Sequence, residues 1–111
     1  VTGKLLLHIP EKDRFSVGLT MALNFLKSAD KGDLLEARLL INAQGVTILE
    51  EEIPENLAPF LELGGQVFFC ENALRAFNIP KEKVWPGCGT VPAGIRALVE
   101  WQNNGFSYVR A

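Results

Sequence analysis

The sequence predicts one α/β domain, residues 1–111, built on a mostly parallel sheet of about five strands with helices on both faces. Three observations carry that prediction. Short strand-type runs alternate with stretches of helical period along the whole chain. The first such run is apolar on both sides instead of alternating, as strands buried in a parallel sheet are. Finally, 111 residues of which 48% are hydrophobic can bury one core without disulfide or metal staples.

Lys4 to Pro10, KLLLHIP, is the first strand, ended by proline. From Arg14 to Ser28 the period becomes helical: Phe15, Leu19, Ala22, Leu23 and Leu26 form one row, with Gly18, Met21, Ala22 and Phe25 beside it. That apolar arc is wider than one sheet contact requires, so the second row, through Met21 and Phe25, is expected to be buried between copies in a homo-oligomer. The alternative is a deep core contact. Asp30 to Asp33 is a turn, and Leu34 to Asn42 returns to strand character. Val46, Ile48 and Leu49 of the next segment suit a brief helical turn, and Glu50, Glu51 and Glu52 a solvated surface.

Leu57, Phe60 and Leu61 share a helical face behind Asn56, a candidate N-cap that puts Pro59 in the tolerated first turn, and Gly64 and Gly65 end that helix. QVFFC, residues 66–70, is the third strand and ENALRAF a short helix. KVWPGCGTVP is a fourth extended segment, broken by Pro86, Gly87 and Gly89. A last helix from about Pro92 to Asn104 packs Ala97, Leu98 and Trp101, with Gly105 as its C-cap and FSYVR as the final strand. Trp101 reads as core, and Trp85, beside Pro86, as a surface or cleft residue. Strands alternating with helices give right-handed βα units and a flavodoxin-like, doubly wound domain. Ligands of such sheets sit beyond the carboxyl ends of the strands, where the His8–Arg14 loop, the Asn42–Gly45 segment NAQG, Cys70 and the Pro86–Gly89 segment are all expected.

Composition narrows the function. A formal net charge of -2 from nearly matched acidic and basic residues excludes a polybasic nucleic-acid binder and a disordered acidic chain. No cationic leader precedes an apolar run and no apolar stretch approaches the roughly 18 residues of a membrane span. A cytoplasmic protein without a membrane partner is expected. The chain opens on Val1 and not on methionine, so leading residues are expected to be missing from it. Two cysteines do not make a secreted disulfide framework or a zinc pattern, and one histidine does not make a His-rich metal site. No metal and no organic cofactor is expected. NAQG lacks the glycine spacing of a dinucleotide fingerprint and the lysine of a P-loop, and no Ser/His/Asp set can be assembled around one histidine.

Cys70 stands where the third strand hands over to a helix. A thiol there faces unpaired backbone N–H groups and the positive end of a helix dipole, the setting that activates thiolates. Glu71 opposes that effect and Arg75 partly offsets Glu71. The other reading of Cys70 is a small half-buried hydrophobe that closes a strand. Cys88, between Gly87 and Gly89, is a candidate relay partner if the third and fourth strands are neighbours, and otherwise a plain loop cysteine. His8 is a candidate base or donor near Cys70 if the first and third strands are adjacent, and otherwise a satisfied structural residue.

Taken in order, HIPEKDRFSVGLTMALNFL, INAQGVTIL, GGQVFFCENALRAFNI and VPAGIRALVEWQNNGFSYVR resemble the DsrE/DsrF-like family of small sulfur-relay proteins over nearly the entire chain. The cysteine with its following helix start, the VPAG opening of the last helix, and Gln102, Gly105, Tyr108 and Arg110 carry the likeness. The resemblance implies assembly into dimers, trimers or hexamers. It also implies that Cys70 holds sulfane sulfur as a persulfide, passed between donor and acceptor proteins. From the residues themselves, Cys88 is a candidate partner and His8, Asn72 and Arg75 are candidate polar neighbours. The expected function is therefore an intracellular sulfur carrier resembling a sulfurtransferase. The competing expectation is a non-catalytic oligomeric module that binds a small ligand or a partner's tail in the strand-end cleft.

Overall fold

Strand and helix alternate through all 111 residues described by the computed structural model. The order is β1 (Thr2–Ile9), α1 (Phe15–Lys27), β2 (Leu34–Ile41), α2 (Leu57–Glu62), β3 (Gln66–Cys70), α3 (Glu71–Ala76), β4 (Gly89–Val91), α4 (Gly94–Asn103) and β5 (Ser107–Arg110). Short 3-10 segments at Lys12–Arg14, Ala43–Glu50 and Lys81–Lys83 fill the connections. All five strands are parallel, in the order β4-β3-β2-β1-β5.

This is a flavodoxin-like doubly wound α/β fold, and its winding explains which helix lies where. The steps from β1 to β2, β3 and β4 all run the same way across the sheet, so right-handed crossovers put α1, α2 and α3 on one face. From β4 the chain returns across the whole sheet to β5, which puts α4 alone on the other face. The buried side chains divide accordingly. Twenty-three form the large cluster, nearly all of it on the first face with Cys70 at its margin, and five, Leu6, Leu40, Ala97, Leu98 and Phe106, lie under α4.

One expectation fails at this level. β1 and β3 are not neighbours, because β2 lies between them. Direct adjacency of His8 and Cys70 fails with it.

One tryptophan takes a role other than the one expected of it, and the other packs as expected but at the margin of the smaller cluster. Trp85 is 5% exposed and meets Phe15 and Phe69 edge-on, at ring centroid separations of 5.5 and 5.8 Å. The loop before β4 turns inward and seals the main core with it. Trp101 is half-buried on the thinner α4 face, against Phe68 and beneath the Arg38 guanidinium.

Asn56 occupies the N-cap position of α2, but its side chain makes no capping bond and reaches Thr20 Oγ1 instead. Helix ends follow the sequence more closely. After α2, α3 and α4 the chain adopts positive φ at Gly64, Asn78 and Gly105, and in each case paired backbone bonds close a Schellman motif. The residue after each left-handed position returns the chain to the sheet; Ile79 and Phe106 do so as buried side chains.

The second row of α1 is split. Gly18 and Ala22 are buried, Phe25 is half-buried over Gly3, and Met21 remains 42% exposed beside Val17, also 42% exposed. No helix is long and apolar enough to cross a membrane.

Candidate functional site

The connection leaving β3 goes to α3 on one face, and the one leaving β4 goes to α4 on the other. Between two such strands the connections diverge and open a crevice, the usual ligand position in sheets of this kind. Cys70, the last residue of β3, lies at that point and pairs in register with Val91, the last residue of β4.

Cys70 precedes α3 with extended backbone angles, so its carbonyl belongs to the strand and its side chain alternates onto the α4 face with Phe68. There its Sγ accepts a hydrogen bond from the Gly94 backbone N–H at 3.3 Å. Gly94 opens α4, whose first N–H groups have no intrahelical acceptor. Glycine makes room for this approach. A β-carbon at Gly94 would lie 3.1 Å from Leu40 Cδ1, 3.2 Å from Cys70 Cβ and 3.3 Å from Asn42 Cβ. The sulfur is well covered, with Cys70 only 6% exposed.

Asn42 follows β2 and continues the Ile41–Phe69 register to the level of Cys70. Its Oδ1 is 2.7 Å from His8 Nε2, and His8 Nδ1 is 2.6 Å from the Tyr108 hydroxyl. An amide oxygen only accepts, so His8 Nε2 carries the hydrogen and Nδ1 accepts from Tyr108. His8 thus sits in a chain that runs from Tyr108 on β5 across β1 to Asn42 at the end of β2. Two strand spacings, about 10 Å, separate β1 from β3. His8 therefore reaches the neighbourhood of Cys70 only through Asn42.

Burial lowers the His8 pKa; the Asn42 hydrogen bond raises it and Arg110 lowers it further, leaving the pKa below its ordinary value. Arg110 itself pairs with Glu11 at 3.0 Å.

Glu71 does not direct its charge at the thiol. Its carboxylate accepts from Thr90 Oγ1 at 2.6 Å and pairs with Lys81 at 3.2 Å; together these bonds hold it below the usual carboxylate range. Asn72 and Arg75 hydrogen-bond to each other on the exposed side of α3. Neither makes a hydrogen bond to Cys70.

Cys88 lies at the other end of β4. It precedes Gly89, which pairs with Phe68, so it is displaced from the level of Cys70 by three residues, about 10 Å along the strands. A disulfide needs Cα atoms within about 7 Å. Both cysteines are free, and burial pushes the Cys88 thiol up to about 11. Cys88 is therefore a protonated thiol away from the site. No group of three His, Cys, Asp or Glu side chains converges as a metal site.

Asn42 and Gly94 were not singled out by residue type, and Tyr108 entered only through a family likeness. The signals were the Asn at a strand terminus in NAQG and the glycine that opens a helix in VPAG.

No protein-family model and no curated protein matches the chain. Solved structures similar to it include the following two. MTH1491, a protein of unknown function from Methanobacterium thermoautotrophicum, superposes with a TM-score of 0.85 at 19% identity, over 98% of this chain and 99% of that one. BT1422, a conserved protein of unknown function from Bacteroides thetaiotaomicron, does so with a TM-score of 0.71 at 17% identity, over 97% of this chain and 95% of that one. At these identities the likeness establishes the fold alone.

Proposed function

We propose that the chain is a sulfur carrier whose Cys70 bears a persulfide. The observation that carries this reading is the N–H of Gly94 aimed at Cys70 Sγ at the strand-end crevice. A sulfur-centred anion uses such a donor at a helix N-terminus. In the reaction the Cys70 thiolate attacks the outer sulfur of a polysulfide. The Cys70 S–S bond forms as the donor's S–S bond breaks, and the shortened polysulfide leaves with the electron pair. An acceptor thiolate then attacks the outer sulfur, takes it, and returns Cys70 as thiolate. Sulfane sulfur moves without net oxidation, and no metal or organic cofactor enters. The resemblance noted in the sequence to DsrE/DsrF-like proteins points the same way, and two free thiols suit a reducing cytoplasm.

A second reading, a binding module that uses the fold without the thiol, is favoured by the low exposure of Cys70. Intact-mass measurement after incubation with sodium tetrasulfide separates the two. The carrier gains one sulfur that a reducing thiol removes, Cys70→Ala abolishes the gain, and Cys88→Ala leaves it intact. A parent chain that gains no sulfur, and whose Cys70 also resists iodoacetamide, is a binding module.

Self-association belongs to the same proposal, with Val17 and Met21 of α1 at the contact. Light scattering at micromolar concentration should give a multiple of 12.2 kDa for the parent and a smaller mass for Met21→Glu. A parent that scatters as a 12.2 kDa particle rules the contact out.

A further inference from the structure

The hydrogen-bond chain through His8 ends on a group with an unused hydrogen-bond donor. Asn42 Oδ1 is taken by His8, whereas Asn42 Nδ2 makes no hydrogen bond within the chain and is not buried. Oxygen and nitrogen diverge from the same carbon, so an oxygen held on the β1 side turns the NH₂ group away from β1. Cys70 and Gly94 lie on that other side. The β-carbons of Asn42 and Cys70 both fall within 3.3 Å of the point a Gly94 β-carbon would occupy.

A persulfide on Cys70 has two sulfurs to satisfy. The inner one already accepts the Gly94 N–H. The outer one, about 2.05 Å further out, carries the negative charge and needs its own donor. We infer that Asn42 Nδ2 donates to that outer sulfur, and that His8 and Tyr108 are positioning residues that keep the amide in the donating orientation. The inference rests on the carrier reading.

The chain has a direction. Tyr108 donates to His8 Nδ1, which leaves the ring hydrogen on Nε2, and Nε2–H donates to Asn42 Oδ1. Remove the ring donor and the amide is free to flip, presenting its oxygen to the sulfur. An acceptor placed against an anion repels it.

The test is the rate of sulfur gain from sodium tetrasulfide, followed by intact mass, for the parent, Asn42→Ala, His8→Phe and His8→Gln. In parallel, iodoacetamide alkylation of the unloaded Cys70 and the melting temperature are measured. A lost hydrogen bond to a charged group should slow loading by about ten- to a hundredfold in Asn42→Ala and His8→Phe. His8→Gln keeps an amide N–H near the place of Nε2 and should recover to within a few-fold of the parent. Alkylation should stay at the parent rate throughout, because a thiol without a second sulfur makes no use of Asn42. Loading at the parent rate in Asn42→Ala and His8→Phe overturns the inference and leaves the carrier reading standing. Loading and alkylation that fall together in a folded variant also overturn it, since Asn42 then only shapes the crevice. A parent that takes up no sulfur removes the carrier reading, and this inference with it.

Discussion

Burial of the His8 ring strips water from its charged form, and this outweighs the Asn42 hydrogen bond, while Arg110 adds repulsion. The consequence for stability has a definite sign. A histidine whose folded pKa lies below its unfolded value of 6.5 is protonated more readily in the unfolded chain. Its contribution is complete above about pH 6.5 and is lost as pH falls through the lowered folded pKa. Unfolding by urea at pH 7.5, 6.5 and 5.5 should therefore show the parent losing more stability on acidification than His8→Gln; parallel losses would contradict the assignment. Protonation at Nδ1 also removes the acceptor used by Tyr108, so the first bond to break is the one to β5. At this scale the sequence was partly legible. Cys70 could be nominated because a strand-to-helix boundary can be read locally. Asn42 could not, because its role depends on a histidine 34 positions away.

Helix α4 brings Gly94 to Cys70, and the contact is tight enough to test. A methyl group at Gly94 would meet three side chains at 3.1 to 3.3 Å, all of them anchored on the sheet. Alanine is worth up to about 1 kcal/mol over glycine inside a helix, less at its first position, whereas overpacking costs about 1–3 kcal/mol. The steric effect should win. Gly94→Ala is expected to lose about 1 kcal/mol in denaturant unfolding and to raise the iodoacetamide reactivity of Cys70 by lifting α4 from the thiol. Greater stability with an unchanged thiol would show that the three neighbours yield. Helix ends at Gly64 and Gly105 were legible, since glycine marks a left-handed position by its chemistry. The same turn at Asn78 was not, because asparagine occurs in many other settings. The side-chain cap expected of Asn56 does not form, because the residue takes helical backbone angles (φ -78°, ψ -6°) in place of the extended ones of a capping residue.

Across the whole molecule the two faces of the sheet are unequal. The face bearing α1, α2 and α3 buries Phe15, Phe60, Phe69 and Trp85 in one large cluster, whereas α4 is held by Leu6, Leu40, Ala97, Leu98 and Phe106. Local opening follows buried apolar contact, so native-state hydrogen exchange should find the α4 amides opening at lower free energy than those of β1 and β2. Protection of α4 equal to that of the central strands would show one cooperative unit. Under the proposed carrier function, such opening would be the route by which a thiol only 6% exposed meets a donor. The alternation of strand and helix, the apolar KLLL run and the right-handed crossover rule were enough to determine a doubly wound α/β domain, because each is a local or chiral property of the chain. Strand order was not among those properties. Whether β1 neighbours β2 or β3 depends on which pairings bury the most surface together, a sum over the whole sheet. That order put β2 between His8 and Cys70 and made Asn42 the link. The β3–β4 register carried Cys88 to the far end of the sheet, and the loop before β4 folded Trp85 inward. Sequence by itself determined the class of the fold, the strand-end position of the Asn42–Gly45 segment, and Cys70 as a candidate thiol of the crevice. Which groups flank that sulfur was decided by tertiary structure alone, since Gly94 comes from α4 and Asn42 from the end of β2, where His8 of β1 and Tyr108 of β5 hold it, and these meet only when the sheet is complete.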